Sequence, residues 1–272
     1  MISPLWDYPS IIQLVKQHRA GGIGFSDYDY AYSARGNLVS IGETQGVPRS
    51  RTYTYDELER LTNVAASAPG GAARPSDDED YGLDPEGNRL TSHLSLGHVT
   101  SDANRLSEDD RFTYAYDVNG NLISKTAKLV PLSNWDYAYD ALDQLISVSR
   151  DGLVVEAYAY DALGRRSVIA TAGANDIGIV NDGPDRYLDL NDNGTGGGLV
   201  SRYVHGGQID EPLELERFDG AGALVGRFTY HRDHLGSVRF LTDETGTIAN
   251  EYDYDSYGNQ FANIETVSQP SR

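Results

Sequence analysis

In residues 111–117, "RFTYAYD", aromatic and small or polar positions alternate. Phe112, Tyr114 and Tyr116 fall on one face of an extended strand, and Arg111, Thr113 and Ala115 on the other. Asp117 ends the alternation, because its carboxylate can accept from backbone N–H groups of a following turn. Gly120 supplies the positive φ of a tight corner, and Asn121 and Leu122 begin a return strand. The pattern predicts a β-hairpin with a loop of about four residues. A lone hairpin is marginal in water, so the unit needs neighbours on either side.

The chain supplies them. "YDYAYSARGNLVSI" (28–41), "RTYTYDELERLTNV" (51–64), "FTYAYDVNGNLISKT" (112–126), "WDYAYDALDQLISV" (135–148) and "EAYAYDALGRRSVI" (156–169) are versions of one phrase. A worn copy stands at 80–93, a fragment at 102–107, and a last copy, "NEYDYDSYGNQ", at 250–260. The pivot tyrosines are Tyr32, Tyr55, Tyr116, Tyr139, Tyr160 and Tyr254; steps of 23 (32 to 55), 23 (116 to 139) and 21 (139 to 160) set the period. The turn carboxylates and glycines assigned to the repeat are Asp56, Asp117, Gly120, Asp140, Asp161, Gly164, Asp255 and Gly258. Aligned tyrosine pairs on neighbouring strands predict aromatic cross-strand contacts of about 0.5–1 kcal/mol each.

The remaining stretches divide the chain. Residues 1–26 read as a flank, 27–171 as the repeat hairpins with a loop insertion at 67–80, and 172–198 as a loop rich in Gly, Asn and Asp with one candidate strand at 186–190. Residues 199–260 read as an antiparallel meander continuous with the repeats, and 261–272 as a tail. The fold class predicted is all-β: consecutive hairpins forming a curved, spiralling sheet. The 19 tyrosines and 29 glycines agree with many strands and corners.

Charge narrows the partners. With 41 acidic and 22 basic side chains the formal charge is −19, which argues against nucleic acid and anionic membranes. The absence of cysteine removes disulfides and thiolate metal sites. No apolar run approaches the ~18 residues of a membrane span, and the first residues do not form an export signal.

Chemistry-bearing motifs are sparse. In "HRDHLG" (231–236), His231, Asp233 and His234 could approach a metal, but the reading preferred is a strand-to-turn corner with Asp233 capping the turn and Gly236 completing it. In "DLNDNG" (189–194), Asp189, Asn191 and Asn193 match the first, third and fifth ligand positions of a calcium loop, with Asp182 or Asp185 as a completing acid. The twelfth position, Val200, is not the acid that such a loop needs, so a polar loop is the preferred reading. Glu211, Glu214 and Glu216 alternate along a strand and are assigned to a solvated face rather than to a glycosidase pair. "GTGGG" (194–198) lacks a strand-to-helix context for cradling phosphate. Catalytic residues and cofactors are expected to be none.

The Tyr-Asp units, with "YHRDHLGSVRFLTD" followed by "YDYDSYGN", resemble those of the RHS (rearrangement hot spot) and YD-repeat proteins over residues 27 to 260. That resemblance implies a spiralling β-shell that encloses or presents an effector in a secreted or surface toxin system, with no catalysis by the repeats. The partners it implies are the rest of a shell or a toxin domain. After "YDSYGN" the chain departs from the family's continuation and shows no cleavage motif, so autoproteolysis and toxin activity are not expected of it. The alternative is an adhesive module in which tyrosine rings stack on cell-wall or surface glycans; a hydrolytic enzyme has little support. Open strand edges predict self-association.

Overall fold

The computed structural model describes residues 11–20, 23–43, 49–68, 77–192, 198–208, 210–219 and 221–267. The first strands are β1 (Ile11–Ala20), β2 (Ile23–Ser33), β3 (Leu38–Glu43), β4 (Arg49–Tyr55), β5 (Leu61–Ser67), β6 (Glu79–Leu83) and β7 (Arg89–Ser92). Next come β8 (Val99–Thr100), β9 (Leu106–Glu108), β10 (Phe112–Tyr116), β11 (Leu122–Ala127), β12 (Trp135–Tyr139), β13 (Leu145–Arg150), β14 (Leu153–Tyr160) and β15 (Arg166–Thr171). The last are β16 (Asp176–Asp182), β17 (Asp185–Asp192), β18 (Gly198–His205), β19 (Pro212–Phe218), β20 (Leu224–Arg232), β21 (Val238–Asp243), β22 (Ile248–Tyr254) and β23 (Gln260–Glu265). The chain is all-β, and each strand pairs antiparallel with its sequence neighbour except at the step from β7 to β8.

One interruption divides this meander. Strands β1 to β7 form one sheet in chain order, and β8 to β23 form a second. At the join, Ser92 bridges to Ser95 in a tight reversal, and the His98 N–H reaches the Leu90 carbonyl at 2.8 Å. With β8 only two residues long, no ladder forms there.

The hairpins share one register. Tyr32, Tyr55, Tyr116 and Tyr139 lie opposite Leu38, Leu61, Leu122 and Leu145, each preceded by a one-residue shift. Tyr160 faces Arg166 and Tyr254 faces Gln260 in the same way. The loop is three residues rather than about four: the Asp117 N–H donates to the Asn121 carbonyl at 2.9 Å, enclosing 118–120. Gly120, at φ 98°, is the left-handed residue that ends such a loop and creates the bulge.

The core sits where the first sheet meets the last strands. Phe240 of β21 packs with Tyr28 and Tyr30 of β2. Its neighbour Leu241 packs with Leu215 and Tyr252. Strand β21 is therefore buried over Arg239–Thr242, on both faces. Burying one such side chain contributes about 1.5–3 kcal/mol. Hairpins β12–β13 and β14–β15 are instead half-exposed along most of their length.

Three expected boundaries change. The stretch 172–198, expected to be loop apart from a candidate strand at 186–190, carries β16 as well as β17, which extends that candidate to Asp185–Asp192; the two strands meet through the Gly183–Pro184 corner. Ile177 and Ile179 of β16 face Asn191 and Asp189 of β17, a polar-on-apolar pairing that hides strand periodicity. The expected flank contains β1, paired with β2 from Ile11 to Ala20, and the expected tail contains β23. Of the expected 67–80 insertion, residues 69–76 lie outside the described residues.

Candidate functional site

The Tyr-Asp steps build turns, and four of them also build a lateral join. In the turn, Asp117 Oδ1 accepts from the N–H groups of Asn119 (2.9 Å), Gly120 (2.8 Å) and Asn121 (2.8 Å). Asp117 Oδ2 accepts from Asn121 Nδ2 at 2.9 Å. In the turns after Asp56 and Asp161, Arg60 and Arg165 replace that asparagine and donate Nε to Oδ2 at 2.7 Å. Asp140, Asp233 and Asp255 cap their turns through the N–H groups two and four residues on. Hydrogen bonds from the fifth turn residue hold the Asp56, Asp117 and Asp161 carboxyls below their ordinary range. Gly164, Gly236 and Gly258 take the left-handed position at φ 78°, 89° and 88°.

The join uses the tyrosine hydroxyl. Tyr55 donates to the Leu38 carbonyl at 2.8 Å, Tyr116 to Leu106 at 2.8 Å, Tyr139 to Leu122 at 3.0 Å and Tyr160 to Leu145 at 2.7 Å. Each acceptor is the leucine that opens the return strand of the preceding unit. Neighbouring units are thus tied by hydroxyl-to-carbonyl bonds, whereas the aligned pairs predicted ring-on-ring contacts. Burial raises the pKa of Tyr55, Tyr116 and Tyr139, as expected for rings enclosed between strands.

The turns also bind one another along one rim. Arg60 Nη1 reaches the Asp84 carbonyl at 2.7 Å, and Gln144 Nε2 the Gly164 carbonyl at 3.3 Å. Arg165 Nη1 meets the Gly183 carbonyl at 2.5 Å, and the Asp210 N–H meets Asp185 Oδ1 at 2.9 Å. Where a turn lacks glycine at the left-handed position, the side chain there makes the link. Glu59 (φ 63°) pairs with Arg35 at 3.0 Å, and Asp143 (φ 60°) accepts from Asn119 and Asn121 at 2.8 and 2.7 Å.

Across the molecule the first sheet closes on the last strands through a buried ionic seam. Arg51 of β4 donates to both oxygens of Asp253 (3.2 and 3.3 Å) and to the Tyr254 carbonyl (3.1 Å). Arg239 reaches the same Asp253 Oδ1 at 3.2 Å. Fully buried Glu79 accepts from the Tyr81 hydroxyl (2.6 Å) and from the Ser256 N–H (3.0 Å). The Tyr81 ring meets Tyr257 at 4.8 Å, and the His234 ring meets Tyr30 at 4.3 Å. Beside the seam lies a cavity of about 450 Å³, lined by Tyr32, Tyr53, Tyr55, Arg51, Arg239 and Asp255 among others.

The other candidates resolve as follows. Asp189 is fully buried; its oxygens accept from Arg186 Nε at 2.5 Å and the Tyr203 hydroxyl at 2.7 Å. Asn191 follows two residues on along β17, and Asn193 lies outside the described residues. The Asp233 carboxylate is engaged in its own turn, and His231 Nε2 lies 2.9 Å from Thr242 Oγ1. Glu216 is buried rather than solvated, held between Arg202 and Arg227, the second at 3.0 Å. Among the described residues no group of three or more His, Asp or Glu is arranged to hold a metal. The seam was missed because partners some 200 residues apart, such as Arg51 and Asp253, leave no local pattern.

The family model described as teneurin YD-shell matches residues 11–179. Double-stranded DNA deaminase toxin A of Burkholderia cenocepacia (strain H111) is 27% identical over 259 residues, covering 85% of this chain and 17% of the relative. The tRNA nuclease WapA of Bacillus subtilis (strain 168) is 24% identical over 256 residues, covering 93% of this chain and 8% of the relative. The crystal structure of TcdB2-TccC3 aligns with a TM-score of 0.34 at 15% identity, covering 94% of this chain and 18% of that one. The chain spans less than a fifth of the length of each of these relatives.

Proposed function

Because this chain belongs to the teneurin YD-shell family, we propose that it is a wall segment of an RHS-type shell, enclosing or presenting an effector of a secreted or surface toxin system. The wall itself is not catalytic. The observation that carries this reading is the use made of its polar groups. The carboxylates of the Tyr-Asp steps cap turns, and the hydroxyls of Tyr55, Tyr116, Tyr139 and Tyr160 join units. Those hydroxyls are spent on backbone carbonyls, which favours the wall over a glycan-stacking platform. The partners are the adjoining parts of a shell and the effector.

Protease protection tests the proposal. The chain is expressed within its native reading frame, together with the effector encoded with it, and digested with trypsin. The effector survives in the intact assembly and becomes cleavable when Tyr55, Tyr116 and Tyr139 are changed to Ala. Equal digestion of the effector with and without the wall contradicts enclosure. Turnover of DNA, RNA or glycan by the purified chain contradicts the non-catalytic assignment.

A further inference from the structure

One corner of the molecule runs against its overall charge. The chain carries −19, yet Arg89, His98, Arg111 and Lys125 all face a cavity of about 250 Å³ beside the break between β7 and β8. Asn259, from the turn between β22 and β23, closes its far side.

Three of these groups, the cations of Arg89, Arg111 and Lys125, rest on rings. The Arg89 guanidinium lies 4.9 Å from the centre of Tyr81 and 4.1 Å from that of Tyr257. The Lys125 ammonium is 4.1 Å from the centre of Phe112, and the Arg111 guanidinium 5.5 Å. Among the described residues none of the three pairs with a carboxylate. The facing acid, Asp109, is already engaged: Oδ1 accepts from the N–H groups of Arg111 and Phe112, and Oδ2 from the Tyr114 hydroxyl, each at 2.7 Å. His98 Nδ1 is buried and, among the described residues, meets no hydrogen-bond partner. The Lys125 pKa is lowered, first by burial and then by the nearby Arg111, and the Asp109 carboxylate only partly offsets them.

We propose that this cavity binds an oxyanion, the phosphate or carboxylate group of a small ligand. Two guanidinium forks and an ammonium converging on one space suit a tetrahedral or planar oxyanion, and their bonds to it would be charge-assisted. An anion there touches β7, the β7–β8 connection, β10, β11 and the last turn. It therefore braces the sheet where its ladder is broken.

The test is calorimetric titration of the purified chain with sodium phosphate and with sodium succinate, against sodium chloride at matched ionic strength. Thermal unfolding is followed in parallel. The expected result is saturable binding of one anion per chain and a rise in Tm. Lys125→Met and Arg111→Gln each weaken binding by about ten-fold or more. Binding of phosphate alone, or of succinate alone, identifies the ligand group. Titration of Lys125 Nζ by NMR in the unaltered chain gives an independent readout: its pKa rises when the binding anion is added. Absence of saturable binding by both anions, unaltered affinity in both variants, or a Lys125 pKa insensitive to either anion overturns the proposal.

Discussion

Removing one oxygen from Tyr139 isolates the lateral join. Tyr139→Phe keeps the ring and deletes only the hydroxyl that donates to the Leu122 carbonyl at 3.0 Å. A hydrogen bond of this kind contributes about 1 kcal/mol net, within roughly 0.5–1.5. Tyr137 supplies the control. It lies on the same strand, two residues earlier and also half-buried, and among the described residues its hydroxyl has no partner. Tyr137→Phe is therefore expected to be neutral. The four joins made by Tyr55, Tyr116, Tyr139 and Tyr160 share no partner, so their losses add to about 4 kcal/mol in the quadruple phenylalanine variant. That is a large share of the roughly 5–15 kcal/mol that stabilises ordinary domains. Urea denaturation followed by far-ultraviolet circular dichroism gives the differences directly from the midpoints. If Tyr139→Phe proves as neutral as Tyr137→Phe, and the quadruple variant keeps its midpoint, the hydroxyls do not join the units.

Other consequences separate the parts of the account. Asp253→Asn leaves Arg51 and Arg239 buried without their shared counter-charge and is expected to cost about 3–5 kcal/mol in denaturation experiments. Gly120→Ala forces a left-handed alanine whose Cβ would lie 3.1 Å from Arg105 Nη2; the expected cost is about 1–2 kcal/mol, and Gly36→Ala, with open space around it, costs less. Glu59→Gly relieves left-handed strain and forfeits only an exposed ion pair, a net gain of up to about 1 kcal/mol, whereas Asp143→Gly relieves the same strain but loses two inter-turn bonds, so no net gain is expected. Burial pushes Tyr53 and Tyr158 up to about 12, so their stabilising effect is full below pH ~10 and is lost as pH rises through ~12, visible as tyrosinate absorbance rising with unfolding. Conversely, the Asp117 and Asp161 carboxyls titrate below their ordinary value in carbon-detected NMR, and their support for the turns is lost as pH falls through that lowered range. Finally, we propose that the open edges promote self-association held in check by the −19 charge; light scattering should then show mass rising with salt, and a salt-independent monomer would contradict it.

Much of the repeat was visible in the chain because its causes are local. Alternating aromatics, a following Asp and a left-handed Gly or its substitute each act within one hairpin. The leucine six residues after Tyr32, Tyr55, Tyr116 and Tyr139 was a legible signal of the join, since it recurs with the same spacing in four of the five full units, Arg166 taking its place after Tyr160. Strand β16 was hidden, and β17 showed only as a short candidate, for a physical reason. Asp189 points inward, and only Arg186 and Tyr203 make that tolerable, so the segment's composition resembles loop. Glu216 was misplaced for the same reason, because its burial depends on Arg202 of another strand and Arg227 of a third. The seam depends on curvature accumulated over the whole strip, and no single repeat encodes it.

Tyrosine-linked hairpins form a strip that curls until its beginning packs against its end. Nuclear Overhauser spectroscopy on chain labelled only at tyrosine addresses this most directly. The prediction is a cross-peak between the rings of Tyr81 and Tyr257, whose centres are 4.8 Å apart, disappearing in Tyr257→Ala. Intact signals within each hairpin, with no contact between Tyr81 and Tyr257, would mean that the strip stays open and would contradict the account.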